Sequence, residues 1–230
     1  MKIALLISGL PRWVEKGFEN INRTLVQPNN PDIFIHTWND LDGTLNYPIN
    51  ELYKPKVLKS ENQKKWTNSH MNLDRMMASH ARSYARDKFV EMLYSSWYSI
   101  QQANLLKEQY RLENNLQYDY VIRARFDLYF HDVVDCKNYS PKALNVSNKW
   151  LPDLEMTDDR FAFGSNEIMN AYASGFNFLD FIQSKRHLSD GIFCGETLVY
   201  EVCKMSNIGV NKITNLTCDN LSHLIAKGAV

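Results

Sequence analysis

Two arginines and an aspartate alternate in the run "VIRARFDLYF", at Arg123, Arg125 and Asp127. A guanidinium grips phosphate or carboxylate oxygens through paired N–H bonds, and a carboxylate can accept such a fork or ligate a hard cation. A further arginine follows the apolar run that opens the chain: "LLISGLPRW" passes into Ser8, Gly9, Leu10, Pro11 and Arg12. Gly9 permits close backbone approach to a bound group, Pro11 stiffens the turn, and Arg12 adds a permanent cation. Taken alone, that turn suits an ordinary strand-to-helix connection as well as it suits a bound phosphate. "PDIFIHTW" adds His36 and Trp38 at the end of another short apolar run. His36 reads either as a ligand contact or as a buried, hydrogen-bonded histidine, and Trp38 either as a stacking surface or as core.

These residues need elements to bring them together. The patterning predicts strands at Lys2–Ser8 and Ile33–Thr37 and a helix from about Trp13 to Leu25. Residues 39 to 80 read as loop around a short strand near Lys56–Leu58. Phe89, Leu93, Trp97, Ile100, Ala103, Leu106 and Tyr110 recur at spacings of three and four, predicting a helix from about Ala81 to Asn114. "YDYVIRARFDLYF" then supplies a third strand. This order implies an α/β fold with a mostly parallel central sheet flanked by helices. Beyond Asp132, "DRFAFGS" reads as a strand and turn, Asn166–Ser184 and Glu196–Ser206 as helices, and Val210–Ile213 as a short strand. No repeat or flexible linker divides the chain, so residues 1–230 read as one domain.

In open sheets of this class ligands bind beyond the C-terminal strand ends. Ser8–Arg12, His36–Trp38 and Asp127 fall at three such ends. If the third strand stays regular, Arg123, Arg125, Asp127 and Tyr129 share one face, opposite Ile122, Ala124, Phe126, Leu128 and Phe130. Guanidiniums on a covered sheet face need anionic partners, which either a ligand or a structural ion-pair network supplies.

Composition narrows the function classes. Lys plus Arg and Asp plus Glu number 26 each, which disfavours a nucleic-acid binder working through a broad basic face. No run approaches the ~20 apolar residues of a membrane span, and Ile3–Ile7 is too short for the core of a secretion signal. Cys136, Cys194, Cys203 and Cys218 show no C-x-x-C spacing and read as small buried hydrophobes of a reducing compartment. The sequons at Asn145 and Asn215 carry little weight without a secretory signal, so a cytoplasmic setting is expected. Neither a P-loop string nor G-x-G-x-x-G occurs, which disfavours a nucleotide kinase or dinucleotide dehydrogenase of the usual kind.

"IALLISGLPR", "DIFIHTW", "MLYSSWYSIQQANLL", "YDYVIRARFDLYF", "DDRFAFGS" and "GETLVYEV" occur in the order seen in small GT-A type glycosyltransferases. From about Lys2 to Ile213 the chain resembles the glycosyltransferase domains of large algal viruses and the WavE-like enzymes of bacterial surface-polysaccharide synthesis. The R-x-R-x-D strand preceded by the S-x-W-Y-S helix is the most specific part. The resemblance implies one GT-A-like domain in the cytoplasm, that of the host for a viral protein. It stands either alone or as part of a larger multidomain glycosyltransferase. Residues of about 1–130 would bind a nucleotide-sugar donor, a UDP-sugar, and about 131–230 a glycan or glycolipid acceptor. Donor contacts would come from Ser8, Gly9, Leu10, Pro11, Arg12, His36, Trp38, Arg123, Arg125 and Asp127.

Such enzymes place D-x-D after the central strand to hold a divalent metal against the diphosphate. Here Arg125-Phe126-Asp127 and Asp127-Leu128-Tyr129 each supply one acid. The resemblance therefore makes Asp127 the expected ligand of Mn²⁺ or Mg²⁺, with phosphates and waters completing the shell. The alternative is neutralisation by Arg12, Arg123 or Arg125. An inverting transferase also needs a carboxylate to take the acceptor's hydroxyl proton. The resemblance favours Glu196, whose other reading is a first-turn charge matched to the helix dipole. Asp158 and Asp159 are further candidates, with loop or capping roles as their alternative. Two other functions fit the same motifs: a sulfotransferase-like or nucleotidyl-transferring enzyme, and an inactive glycan-binding module of transferase-like shape.

Overall fold

Alternate residues of the first strand enter different cores. In a computed structural model, which describes residues 1–40, 42–66, 86–148, 155–188 and 193–230, strand β1 (Ile3–Gly9) runs between β2 (Asp32–Trp38) and β4 (Tyr120–Ala124), parallel to both. Ile3, Leu5 and Ile7 pack with Ile122 and Ala124 under helix α1 (Val14–Ile21). Ala4, Leu6 and Val121 pack on the other face with Leu93, Trp97 and Ile100 of α3 (Arg86–Glu113). Burial on both faces is why these strands read as unbroken apolar runs.

Strand β3 (Val57–Glu61) extends the sheet beyond β2 in parallel. On the other side, β7 (Ala162–Gly164) pairs antiparallel with β4 and with β6 (Leu144–Ser147), and β8 (Val210–Ile213) pairs parallel with β6. The seven-stranded order is therefore β3-β2-β1-β4-β7-β6-β8. Successive strands first wind away from β1 through β2 and β3, then return to the opposite edge of β1 with β4. That reversal is a topological switch point, where the strand ends diverge and leave a crevice.

The remaining helices are the short α2 (Ile49–Tyr53), then α4 (Asn166–Ala173), α5 (Gly175–Leu188), α6 (Gly195–Met205) and α7 (Leu221–Ala226). Helix α1 continues through a π-helical turn at Asn22–Val26 to a last turn at Gln27–Asn29. It starts at Val14 because Trp13, the expected first residue, is left-handed with φ 56°. The helix expected over Asn166–Ser184 breaks at Ser174, whose hydroxyl bonds back to the Ala171 carbonyl at 2.7 Å. Part of the loop expected over 39–80, namely 41 and 67–80, and residues 81–85 of the long helix lie outside the described residues.

One expectation fails in a way that shapes the site. The strand carrying the charges does not run on to Tyr129; β4 ends at Ala124. Residues 125–127 turn out of the sheet, and β5 (Leu128–Phe130) pairs instead with β9 (Cys218–Asn220) in a separate ribbon. Tertiary contacts impose the exit. The Asn20 side chain on α1 accepts from the Phe130 N–H at 2.7 Å and donates to its carbonyl at 3.0 Å, standing in for a neighbouring strand. The Leu221 N–H donates to the Asp127 carbonyl at 2.9 Å. Gly17 lies so close to the turn that a Cβ there would sit 1.9 Å from the Phe126 oxygen. Among the described residues no helix is long and apolar enough to cross a membrane.

Candidate functional site

A cleft of about 300 Å³ opens at the switch point. Ser8, Gly9, Leu10 and Arg12 line it from the end of β1, Trp38 from β2, and Arg125 and Asp127 from the turn after β4. Met92, Ser95 and Ser96 of α3 form its remaining wall. Three strand ends thus converge on one space. Among the residues expected to contact a ligand, Pro11, His36 and Arg123 are buried and lie outside this lining.

The turn after β1 is held from beneath. Gly9 takes φ 111°, a conformation that side chains disfavour. Its N–H donates to Ser99 Oγ at 2.8 Å, and its carbonyl accepts from Thr37 Oγ1 at 2.9 Å. Ser99 Oγ also lies 2.8 Å from His36 Nδ1, while His36 Nε2 lies 2.9 Å from Glu61 Oε1. Burial lowers the His36 pKa to about 4 even against the pull of Glu61, so the ring is neutral at pH 7. The consistent neutral arrangement has Nε2–H donating to Glu61 and Nδ1 accepting the Ser99 hydroxyl proton. Burial opposes ionisation of Glu61, but its bonds to His36, Lys59 and Tyr98 prevail and bring its pKa down to about 2. His36 is therefore a strut beneath the cleft floor. Trp38 is stacked on Tyr98, ring centroids 5.7 Å apart and 25° between planes, which fixes the indole at the cleft wall.

Arg125 and Asp127 form a fork. Arg125 Nε donates to Asp127 Oδ1 at 2.9 Å and Nη2 to Oδ2 at 2.7 Å. Burial works against the Arg125 charge, yet the Asp127 carboxylate, with Asp159 behind it, outweighs that and raises the guanidinium pKa. Arg12 is exposed at the rim and has no carboxylate partner among the described residues. Ser8 is 1% exposed, and its hydroxyl finds no hydrogen-bond partner among the described residues. A buried orphan hydroxyl is costly, so its position on the cleft lining points to a group that would satisfy it.

Arg123 is spoken for elsewhere. It is 2% exposed, and its Nη1 donates to the Arg160 carbonyl at 2.7 Å and, more closely, to that of Asp159. It fastens β4 to the segment before β7, which is a correction to its expected donor contact. Asp158 is likewise structural. It takes Arg160 Nε at 3.0 Å, Arg160 Nη2 at 3.1 Å and the Arg160 N–H at 3.1 Å, and it also accepts from the Ser147 hydroxyl. Its oxygens accept four bonds in the core, and it lies outside the cleft lining.

Asp159 and Glu196 sit together at the start of α6. A Cβ on Gly195 would lie 2.1 Å from Asp159 Oδ2, so the glycine lets the carboxylate rest on the helix N-terminus. Glu196 occupies the same first turn, and its backbone carbonyl accepts from the Thr157 N–H at 3.0 Å. Neither acid lines the cleft; Asp159 adjoins it through its influence on Arg125. Cys194, at the N-cap of that helix, is pushed up to about 12, burial first and the neighbouring acids second, and is an inert thiol at neutral pH.

The sequence reading missed Ser95 and Ser96 as lining residues and Ser99 as the clamp on Gly9. The available signal was three serines in "SSWYS", set beside the apolar stripe of the long helix, where hydroxyls need a polar neighbour. For the expected cation, Asp127 is the only acid among the described residues of the cleft lining, and both its oxygens already serve Arg125. Among the described residues no group of three His, Cys, Asp or Glu side chains is placed to hold a metal ion. As folded, the fork does not fit a divalent-cation site.

No protein-family model matches the chain, and no curated protein matches it in a sequence search.

Proposed function

We propose that the chain is a glycosyltransferase moving a sugar from a nucleotide-sugar donor, a UDP-sugar, to a glycan acceptor. The observation that carries this reading is the convergence of Arg12, the Arg125–Asp127 fork and the unpartnered Ser8 hydroxyl on one switch-point cleft. In the reaction the acceptor oxygen bonds to the anomeric carbon while the bond from that carbon to the diphosphate breaks. Negative charge grows on the leaving diphosphate, and guanidiniums fixed beforehand stabilise it. Arg12 and Arg125 fill that role. The acceptor's proton passes to a carboxylate, for which Glu196 and Asp159 beside Arg125 are the candidates.

The resemblance to GT-A enzymes supports this reading, as does the sheet order that opens the crevice between β1 and β4. The test is a ligand-observed NMR screen of UDP-, GDP- and dTDP-sugars beside an adenosine sulfonucleotide, followed by assay of UDP release with glycan acceptors. UDP-sugar binding with acceptor-dependent UDP release is expected. Binding of the sulfonucleotide alone would move the chain to the sulfotransferase-like class, and binding of a glycan without any nucleotide-sugar would make it a lectin-like module.

A further inference from the structure

We infer that Asp127 is a positioning residue for Arg125 rather than a cation ligand, and that the cleft seats a phosphate or diphosphate on guanidiniums and hydroxyls alone. This deepens the donor reading above and rests on it for the identity of the nucleotide.

Three observations carry it. First, a carboxylate in a two-point fork has both oxygens facing its guanidinium, and a cation must displace Nε and Nη2 to reach them. Asp127 is 5% exposed, so the exchange would have to occur with little solvent to ease it. Second, the described lining offers a hard cation one carboxylate and serine hydroxyls, so the cation would draw most of its shell from phosphates and waters while taking from Arg125 the one acid that holds it. Third, among the described residues Arg12, Arg125 and Asp127 are the charged members of the lining, two cations to one anion, with Arg12 not neutralised by any carboxylate among them. The buried Ser8 hydroxyl adds a donor that lacks an acceptor. An oxyanion satisfies both needs together. Asp127 then acts through Arg125, fixing the orientation of the guanidinium at the wall with Nη1 outside the fork.

The test is calorimetric titration of inorganic pyrophosphate, and separately of UDP, onto the full chain in EDTA and again in excess Mn²⁺, corrected for metal–ligand complexes in solution. Each affinity is expected to agree within threefold between the two conditions. Asp127→Asn keeps an acceptor for Arg125 and removes a negative charge beside the anion, so pyrophosphate should bind it two- to fivefold more tightly. Arg12→Gln, at an exposed position, should bind at least tenfold more weakly and serves as a second variant if Asp127→Asn does not fold. Affinity that rises tenfold or more with Mn²⁺, or tenfold weaker binding in folded Asp127→Asn, would overturn the inference. So would failure of pyrophosphate to bind in either condition. Pyrophosphate binding without UDP binding would keep the anion seat and remove the UDP-sugar reading instead.

Discussion

The chain contains two arginine–carboxylate forks built on the same spacing, Arg125 with Asp127 and Arg160 with Asp158, and they are within electrostatic reach of each other. In the second, Asp158 also receives a backbone N–H and the Ser147 hydroxyl, so each of its oxygens accepts two bonds from the protein. In the first, the fork borders open space, with Arg12 unneutralised and Ser8 unsatisfied at its side. Equal chemistry therefore has unequal consequences. A completed polar cluster holds segments together, whereas an incomplete one facing a cleft is arranged for something that arrives later.

The contrast can be broken at several points. The largest effect is expected in the closed fork: Asp158→Ala leaves Arg160 charged and unpaired in the core and should cost about 3–5 kcal/mol of stability in urea unfolding. A loss below about 1 kcal/mol would deny the cluster its structural role. At the start of α6, next to Asp159, Glu196→Gln should leave UDP affinity near that of the wild type while slowing transfer by about 10²–10⁴-fold, the usual contribution of a general base. Full transfer in that variant would shift the role to Asp159.

The strut beneath the cleft gives a pH test. The His36 pKa is about 4 when folded against 6.5 as its ordinary value, so below pH 6.5 the unfolded chain takes up a proton that the folded ring refuses. Stability is complete above pH 6.5 and falls as pH drops toward 4, by on the order of 3 kcal/mol. Glu61, held near 2 rather than 4.5, extends the decline into stronger acid. His36→Gln should flatten the slope between pH 6.5 and 4, and an unchanged slope would place the proton uptake elsewhere. Gly17→Ala drives a methyl against the Phe126 carbonyl between the two fork residues. It should cost about 1–3 kcal/mol, as overpacking does, and weaken UDP binding; a neutral result would mean that α1 does not set the turn. The smallest stability effect belongs to Arg12→Gln, within about 0.5 kcal/mol as for an exposed, unpaired side chain.

The contributions of the first two strand ends were legible in the sequence because unbroken apolar runs give way to polar groups at Ser8 and around His36–Trp38. The fate of the arginine strand was not. Alternation put Arg123 and Arg125 on one face, but Asn20, Gly17 and Leu221 pull the chain out of the sheet after Ala124, and none of them is near it in sequence. Arg123 was decided by two main-chain carbonyls beyond Asp158, a kind of partner that carries no side-chain signature. Ser96 and Ser99 were masked by the apolar stripe in which they lie. Strands β6 and β9, at four and three residues, were too short for periodicity to register.

The most direct test of the phosphate-seat claim is an amide hydrogen-exchange map of the full chain with and without UDP. Exchange should slow at residues 8–13 and 125–128, at the two turns flanking the switch point, with a smaller effect on the helix wall around Ser95. Protection confined to another part of the molecule, or a map unchanged at saturating UDP, would contradict the account.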